Sequence, residues 1–133
     1  MRLTTRRYLK RWTSGQQQKT KKRSVICDPW EVVVVPFPFT ERAAAKRRPA
    51  LILSKKSFNQ SGHSVMAMIT TTMHQPWPGD TNLSGYRDAG LRVACAVRLK
   101  IFTLDNRLIL KKTGNLSAAD RNNIRRSLQA NLA

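Results

Sequence analysis

Short apolar runs, each closed by Pro, Gly, Asn or a charged residue, limit what this chain can fold into. Residues 32–35 form an unbroken β-branched run, and residues 50–53, 65–69 and 91–97 supply three more. Their length and their β-branched content favour extended backbone. Strands this short and this closely spaced predict a small barrel or a strongly bent sheet. The period changes only near the end of the chain. After Gly114, Ser117 with Asp120 three residues on resembles a capping box with Asp in the Glu place, and Ile124, Leu128 and Leu132 recur every four residues. The expected class is mainly β with one C-terminal amphipathic helix, which carries Arg121, Arg125 and Arg126 on or near its outer face.

A length of 133 residues fits one domain with a modest core. Residues 1–29 hold nine of the 25 Lys and Arg but few aliphatics, so they bury too little apolar surface to offset the entropy of ordering. They are expected to form a flexible basic arm ahead of a domain at 30–133; a short helix carrying Tyr8 and Trp12 is the alternative. The rest of the chain still sets sixteen cations against six acids, within a net charge of +18. Such an excess favours a polyanionic partner, because neutralising phosphates releases condensed counterions. By itself it says nothing of catalysis, and a basic protein that merely sits on RNA or DNA fits it equally well. Cys27 and Cys95 are far apart and lack partners at metal-ligand spacing, so reduced thiols and no metal or cofactor are expected. No apolar run approaches the roughly 18 residues that span a bilayer, and the basic N-terminus is not followed by a signal-type apolar segment. A soluble cytoplasmic protein is the expectation.

Within the body, residues 31–54 read EVVVVPFPFTERAAAKRRPALILS. Two apolar runs flank a loop whose cluster Lys46-Arg47-Arg48 ends at Pro49, where the chain re-enters the core. A fixed phosphate-binding cation would be mounted in this way. The polar passage 70–91, with Pro76, Pro78, Gly79, Gly85 and Gly90 as breakers, is long enough to be a binding loop.

Four pieces of the chain, in order, resemble one family: the apolar run before PFPFT, then KRRPALILS, then MAMITTT, then VRLKIFTLDNRLILKKTGNLS followed by a helix. Together they are similar to the MazF/PemK toxins over residues 30–132. The resemblance implies an SH3-like β-barrel with a C-terminal helix, a homodimer, and metal-independent, sequence-specific cleavage of single-stranded RNA, mRNA above all. It also implies an acidic antitoxin as partner.

Cleaving RNA without a metal requires a proton acceptor for the ribose 2′-OH, a donor to the leaving 5′-oxygen, and stabilisation of an extra-negative phosphorane. Arg48 suits the last task, since its planar guanidinium matches two phosphate oxygens at once. Pro49 restricts Arg48 to extended backbone, which helps hold its direction. The resemblance places Arg48 and Thr70 as the catalytic pair. It places Phe37 as the base-stacking aromatic, although the pattern does not choose which of Phe37 and Phe39 faces outward. Arg47, Thr71, Arg98 and Lys100 are the further candidates for RNA contact. A guanidinium is a poor general base, so His74 and Glu41 are the acid–base candidates, with His63 a weaker one.

Three features depart from the family pattern. The loop RAAAKRR before Pro49 lacks the Glu or His that some relatives place there. Arg98-Leu99-Lys100 stands where many relatives read Arg-x-Asp-Lys, one residue shorter, and Trp30-Glu31 replaces a Gly-Asp turn. The competing readings are a relative without catalysis that binds RNA or DNA through its charge, and a structural protein of ribosomal type.

Overall fold

A computed structural model describes residues 24–37 and 46–133. The expected arm, the Tyr8 and Trp12 alternative, Phe39 and Glu41 all lie outside the described residues, apart from the last few positions before the first strand. The elements are β1 (Glu31–Phe37), β2 (Lys46–Ile52), α1 (Lys56–Asn59), β3 (His63–Thr71), β4 (Thr81–Asn82), β5 (Cys95–Asp105), a 3₁₀ turn (Asn106–Leu108), β6 (Lys111–Asn115) and α2 (Ala118–Asn131). The strands form one curled antiparallel sheet in the order β4-β5-β3-β2-β1-β6. The class is mainly β with a C-terminal helix, as the apolar runs imply.

Alternation along the strands sorts the core into two layers. Val32, Leu51, Ala67, Ile69, Cys95 and Val97 face one side, where they meet Leu116, just before α2, and Ile124 within it. Val33, Val35, Ala50, Ile52 and Met66 face the other, where Cys27, Leu104 and Ile109 cover them. The run 32–35 is unbroken because β1 is buried on both faces. Burial pushes the Cys27 thiol up to about 11, with the Glu31 charge adding to the effect, so this cysteine is an inert core residue. At one end of the sheet Asn59, Ser64 and Asn106 form a buried polar knot: Ser64 Oγ donates to Asn106 Oδ1 at 2.6 Å and Asn106 Nδ2 to the Asn59 carbonyl at 2.6 Å.

Several local expectations change. Lys46, Arg47 and Arg48 belong to β2 rather than to a loop, because the ladder with β1 extends through Phe37↔Lys46. The fourth apolar run, at 91–97, enters a strand only at Cys95, and that strand, β5, continues to Asp105, whereas 92–94 are exposed. β6 has the sequence KKTGN, with almost no apolar content, and becomes a strand through its pairing with β1. The box at the start of α2 is half formed. Ser117 Oγ accepts from the Asp120 N–H at 3.3 Å, but the Asp120 carboxylate turns inward instead. Leu132 falls just beyond α2 and is half exposed. Among the described residues, no helix is long and apolar enough to cross a membrane.

Trp30 adopts φ +72°. A bulky residue pays strain there. The ring packs on the first core layer with the Arg125 guanidinium 5.1 Å from its centroid, and the backbone donates to Ile52 O at 2.8 Å and accepts from Leu116 N at 3.1 Å. These contacts hold the conformation.

Candidate functional site

At the end of the sheet away from the Asn59–Asn106 knot, the second core layer runs out of apolar residues. Arg48 lies two residues before Ala50 on β2, and Thr70 lies two beyond Met68 on β3, so both continue the face that carries Ile52 and Met66. Pairing completes the row: Val35 opposes Arg48, Ala50 opposes Met68, and Met68 opposes Arg98. The result is an open cleft of about 450 Å³ lined by Phe37, Arg48, Met68, Thr70, His74, Gln75, Trp77 and Arg98. A smaller recess of about 210 Å³ shares Thr70, His74, Trp77 and Arg98 with it and adds Thr71, Thr72 and Asp80.

The cleft thus brings together Phe37, Arg48, Thr70, His74 and Arg98, five of the residues singled out from the sequence. Arg48 is half-buried at its base, and its guanidinium makes no hydrogen bond or ion pair with any described residue. The Phe37 ring lies 6.2 Å from that of Phe102, tilted by 46°, so one side of it is packed while it still borders the cleft. Thr71 borders only the smaller recess, and Arg47 is exposed and outside both linings. His63 opens β3 opposite Asp105, at the other end of the strand from Thr70.

Arg98 is nearly buried, and its Nε and Nη2 donors are engaged. Nε donates to Asp80 Oδ1 at 3.2 Å, and Nη2 donates to Asp80 Oδ2 at 3.0 Å and to the Gln75 carbonyl at 2.9 Å. Burial alone would raise the Asp80 carboxyl, but hydrogen bonds from Arg98 and the Trp77 N–H, with the Arg98 charge, outweigh it and hold the group below the usual carboxylate range. The sequence signal at 98–100 also has a structural outcome. Pairing steps from Ala67↔Ile101 to Met68↔Arg98, so Leu99 and Lys100 bulge out of the ladder.

Trp77 was not among the residues that the sequence pointed to. It opens the turn Trp77-Pro78-Gly79-Asp80, in which Asp80 N donates to Trp77 O at 3.1 Å and Gly79 has φ +85°. Pro at the second position and a left-handed Gly at the third make this a type II turn. A Pro-Gly pair within the 70–91 passage announces the turn, but not which aromatic it presents. The Arg98 guanidinium carbon and Lys100 Nζ lie 4.8 and 4.6 Å from the indole centroid.

Residues 28–132 match the model of a family described as PemK-like, MazF-like toxins of type II toxin-antitoxin systems. Among solved structures, the fold is similar to a MazE–MazF complex from Deinococcus radiodurans, with a TM-score of 0.63 and 21% identity over 80% of this chain and 95% of that one. It is likewise similar to an endoribonuclease in complex with its cognate antitoxin from a mycobacterial species (TM-score 0.62, 18% identity, 79% and 91% covered). The Mycobacterium tuberculosis toxin MazF-mt6 gives a TM-score of 0.60 at 19% identity, with 75% and 93% covered. No curated protein matches the sequence.

Proposed function

The chain belongs to the PemK-like, MazF-like toxin family of type II toxin-antitoxin systems, and on that footing we propose that it is a cytoplasmic endoribonuclease toxin that cuts single-stranded RNA in the cleft between Arg48 and Thr70. The observation that supports this reading most is the convergence of Arg48, Thr70, His74 and Phe37 on one open cleft. The ribose 2′-oxygen attacks the adjacent phosphorus and loses its proton to a base. The P–O5′ bond breaks, and the 5′-oxygen takes up a proton, leaving a 2′,3′-cyclic phosphate and a 5′-hydroxyl. Arg48 supplies paired donors to the phosphorane oxygens, and Thr70 donates its hydroxyl to one of them. His74, exposed at the cleft wall, is the acid–base candidate within the described residues. Phe37 stacks a base, while Arg47, Thr71 and Lys100 contribute contacts along the RNA backbone. An acidic antitoxin is the partner that restrains this activity, and the active toxin is a homodimer.

One observation favours the second reading, a basic RNA- or DNA-binding module without catalysis. Among the described residues that line the cleft and its recess, the one carboxylate is Asp80, and Arg98 already occupies it. The test is incubation of wild type and Arg48→Ala with end-labelled single-stranded RNA in EDTA. Discrete cuts with cyclic phosphate ends, lost in the variant while affinity stays within a few-fold, support the enzyme. RNA that is bound by both proteins and cut by neither establishes the binding module.

A further inference from the structure

We propose that Trp77 is a preorganised stacking platform for one unpaired nucleobase of the RNA in the cleft. The proposal deepens the single-stranded RNA reading of that cleft but does not depend on cleavage.

Trp77 is too exposed, at 44%, to be counted in the core, yet its backbone and one side of its setting are fixed. Pro76 and Pro78 restrict the backbone before and after it. Its N–H donates to Asp80 Oδ2 at 2.9 Å, and its carbonyl accepts from Asp80 N at 3.1 Å. The turn is pinned from below. A Cβ at Gly79 would lie 2.7 Å from Leu99 Cδ1, so the bulged Leu99 sits directly against it, and the Gly79 carbonyl accepts from Ser127 Oγ of α2 at 2.7 Å. Arg98, fixed by Asp80 and Gln75, then sets the position of the indole.

An exposed aromatic ordered to this degree loses little further entropy when a flat ligand arrives, which is the condition for tight stacking. The ring borders both the cleft that holds Arg48 and the recess beyond Thr70, so a base lying on it shares that cleft with Arg48. Lys100, whose ammonium also rests on the indole, is exposed and makes no ion pair among the described residues. It moves to a phosphate oxygen as the base takes its place, while Arg98 stays. The strand bulge at Leu99–Lys100 is what lets one segment buttress the turn and carry the mobile cation.

The experiment compares full-length wild type, Trp77→Ala, Trp77→Leu and Trp77→Phe for affinity toward two probes. One is a short, random-sequence, 2′-O-methyl single-stranded RNA, which cannot be cleaved; the other is the same ribose-phosphate backbone without bases. Wild type and Trp77→Phe prefer the base-bearing probe, and Trp77→Ala and Trp77→Leu lose roughly ten-fold or more on that probe alone. Leu keeps apolar bulk without a π face, so its loss separates stacking from simple packing. A preference for bases that is unchanged in the Ala and Leu variants, or an equal loss on both probes, overturns the proposal. If wild type fails to cleave unmodified RNA but the Trp77-dependent base preference stands, the enzyme reading falls and this one does not.

Discussion

Arg98 and Asp80 are joined by two parallel hydrogen bonds, Nε to Oδ1 at 3.2 Å and Nη2 to Oδ2 at 3.0 Å, with only 11% of each side chain exposed. The pair links a central strand to the turn that presents Trp77. Asp80→Asn keeps the shape but removes one acceptor and the charge. It is expected to cost about 1–3 kcal/mol, read from the urea midpoint, and to weaken binding of base-bearing RNA by loosening the turn. An unchanged midpoint would show that the pair is not a fastening.

Arg48→Lys retains the charge but not the planar fork. If the phosphorane is held by two donors of one guanidinium, cleavage falls about 100-fold or more, close to the loss in Arg48→Ala. Affinity for uncleavable RNA should remain near that of wild type. Recovery of most activity in the Lys variant would reduce Arg48 to a point charge.

Acid should unfold the protein through its carboxylates. Asp80 is held low as described. Asp105 is lowered first by its hydrogen bond from Arg107, against a smaller effect of burial. For Asp120 burial pushes upward, but the N–H groups of Ser84 and Gly85 and the Ser84 hydroxyl, each at 2.9 Å, together pull it down. An unfolded Asp titrates near about 3.9. In that range the folded state binds fewer protons than the unfolded one, so these groups stabilise fully above about pH 5 and their contribution is lost as pH falls through the lowered values. Denaturation midpoints should be flat from neutrality to about pH 5 and then fall. In Asp120→Asn the acid slope should be shallower.

Trp30 offers a test of backbone strain. Both Trp30→Ala and Trp30→Gly lose the ring's packing and its contact with Arg125, but only Gly relieves φ +72°. Gly should therefore be the less damaging substitution by about 1 kcal/mol, the reverse of the usual order. Thermal melts of the two variants decide it, and a more stable Ala variant would mean that the turn relaxes without Gly.

Much of the architecture could be read from local pattern. The β-branched run at 32–35, the apolar stretch before Thr70 and the Ser117 cap each declare their element within a few residues, because backbone preference and side-chain period act over that distance. Where the pattern was weak, the reading failed for a reason of the same kind. KKTGN has no apolar period and becomes a strand because β1 leaves it an edge to pair with, and Arg48 enters a strand because the β1–β2 ladder runs further than hydrophobicity shows.

The candidate site divides along the same line. The resemblance of the chain's motifs to a known family singled out Arg48, Thr70 and Phe37, and side-chain chemistry added His74; guanidinium, hydroxyl, ring and imidazole each bring a chemistry that does not depend on the fold. Only the tertiary structure put them around one cleft, because strand register decides which face each side chain takes and a shift of one residue would reverse it. It also decided what Arg98, Asp80, Asp120 and Trp77 do. Besides local contacts they have partners far along the chain, as with Asp80 to Arg98, 18 positions apart, and Ser84 to Asp120, 36 apart, and a contact over that distance comes from how the sheet curls and where its ladder bulges.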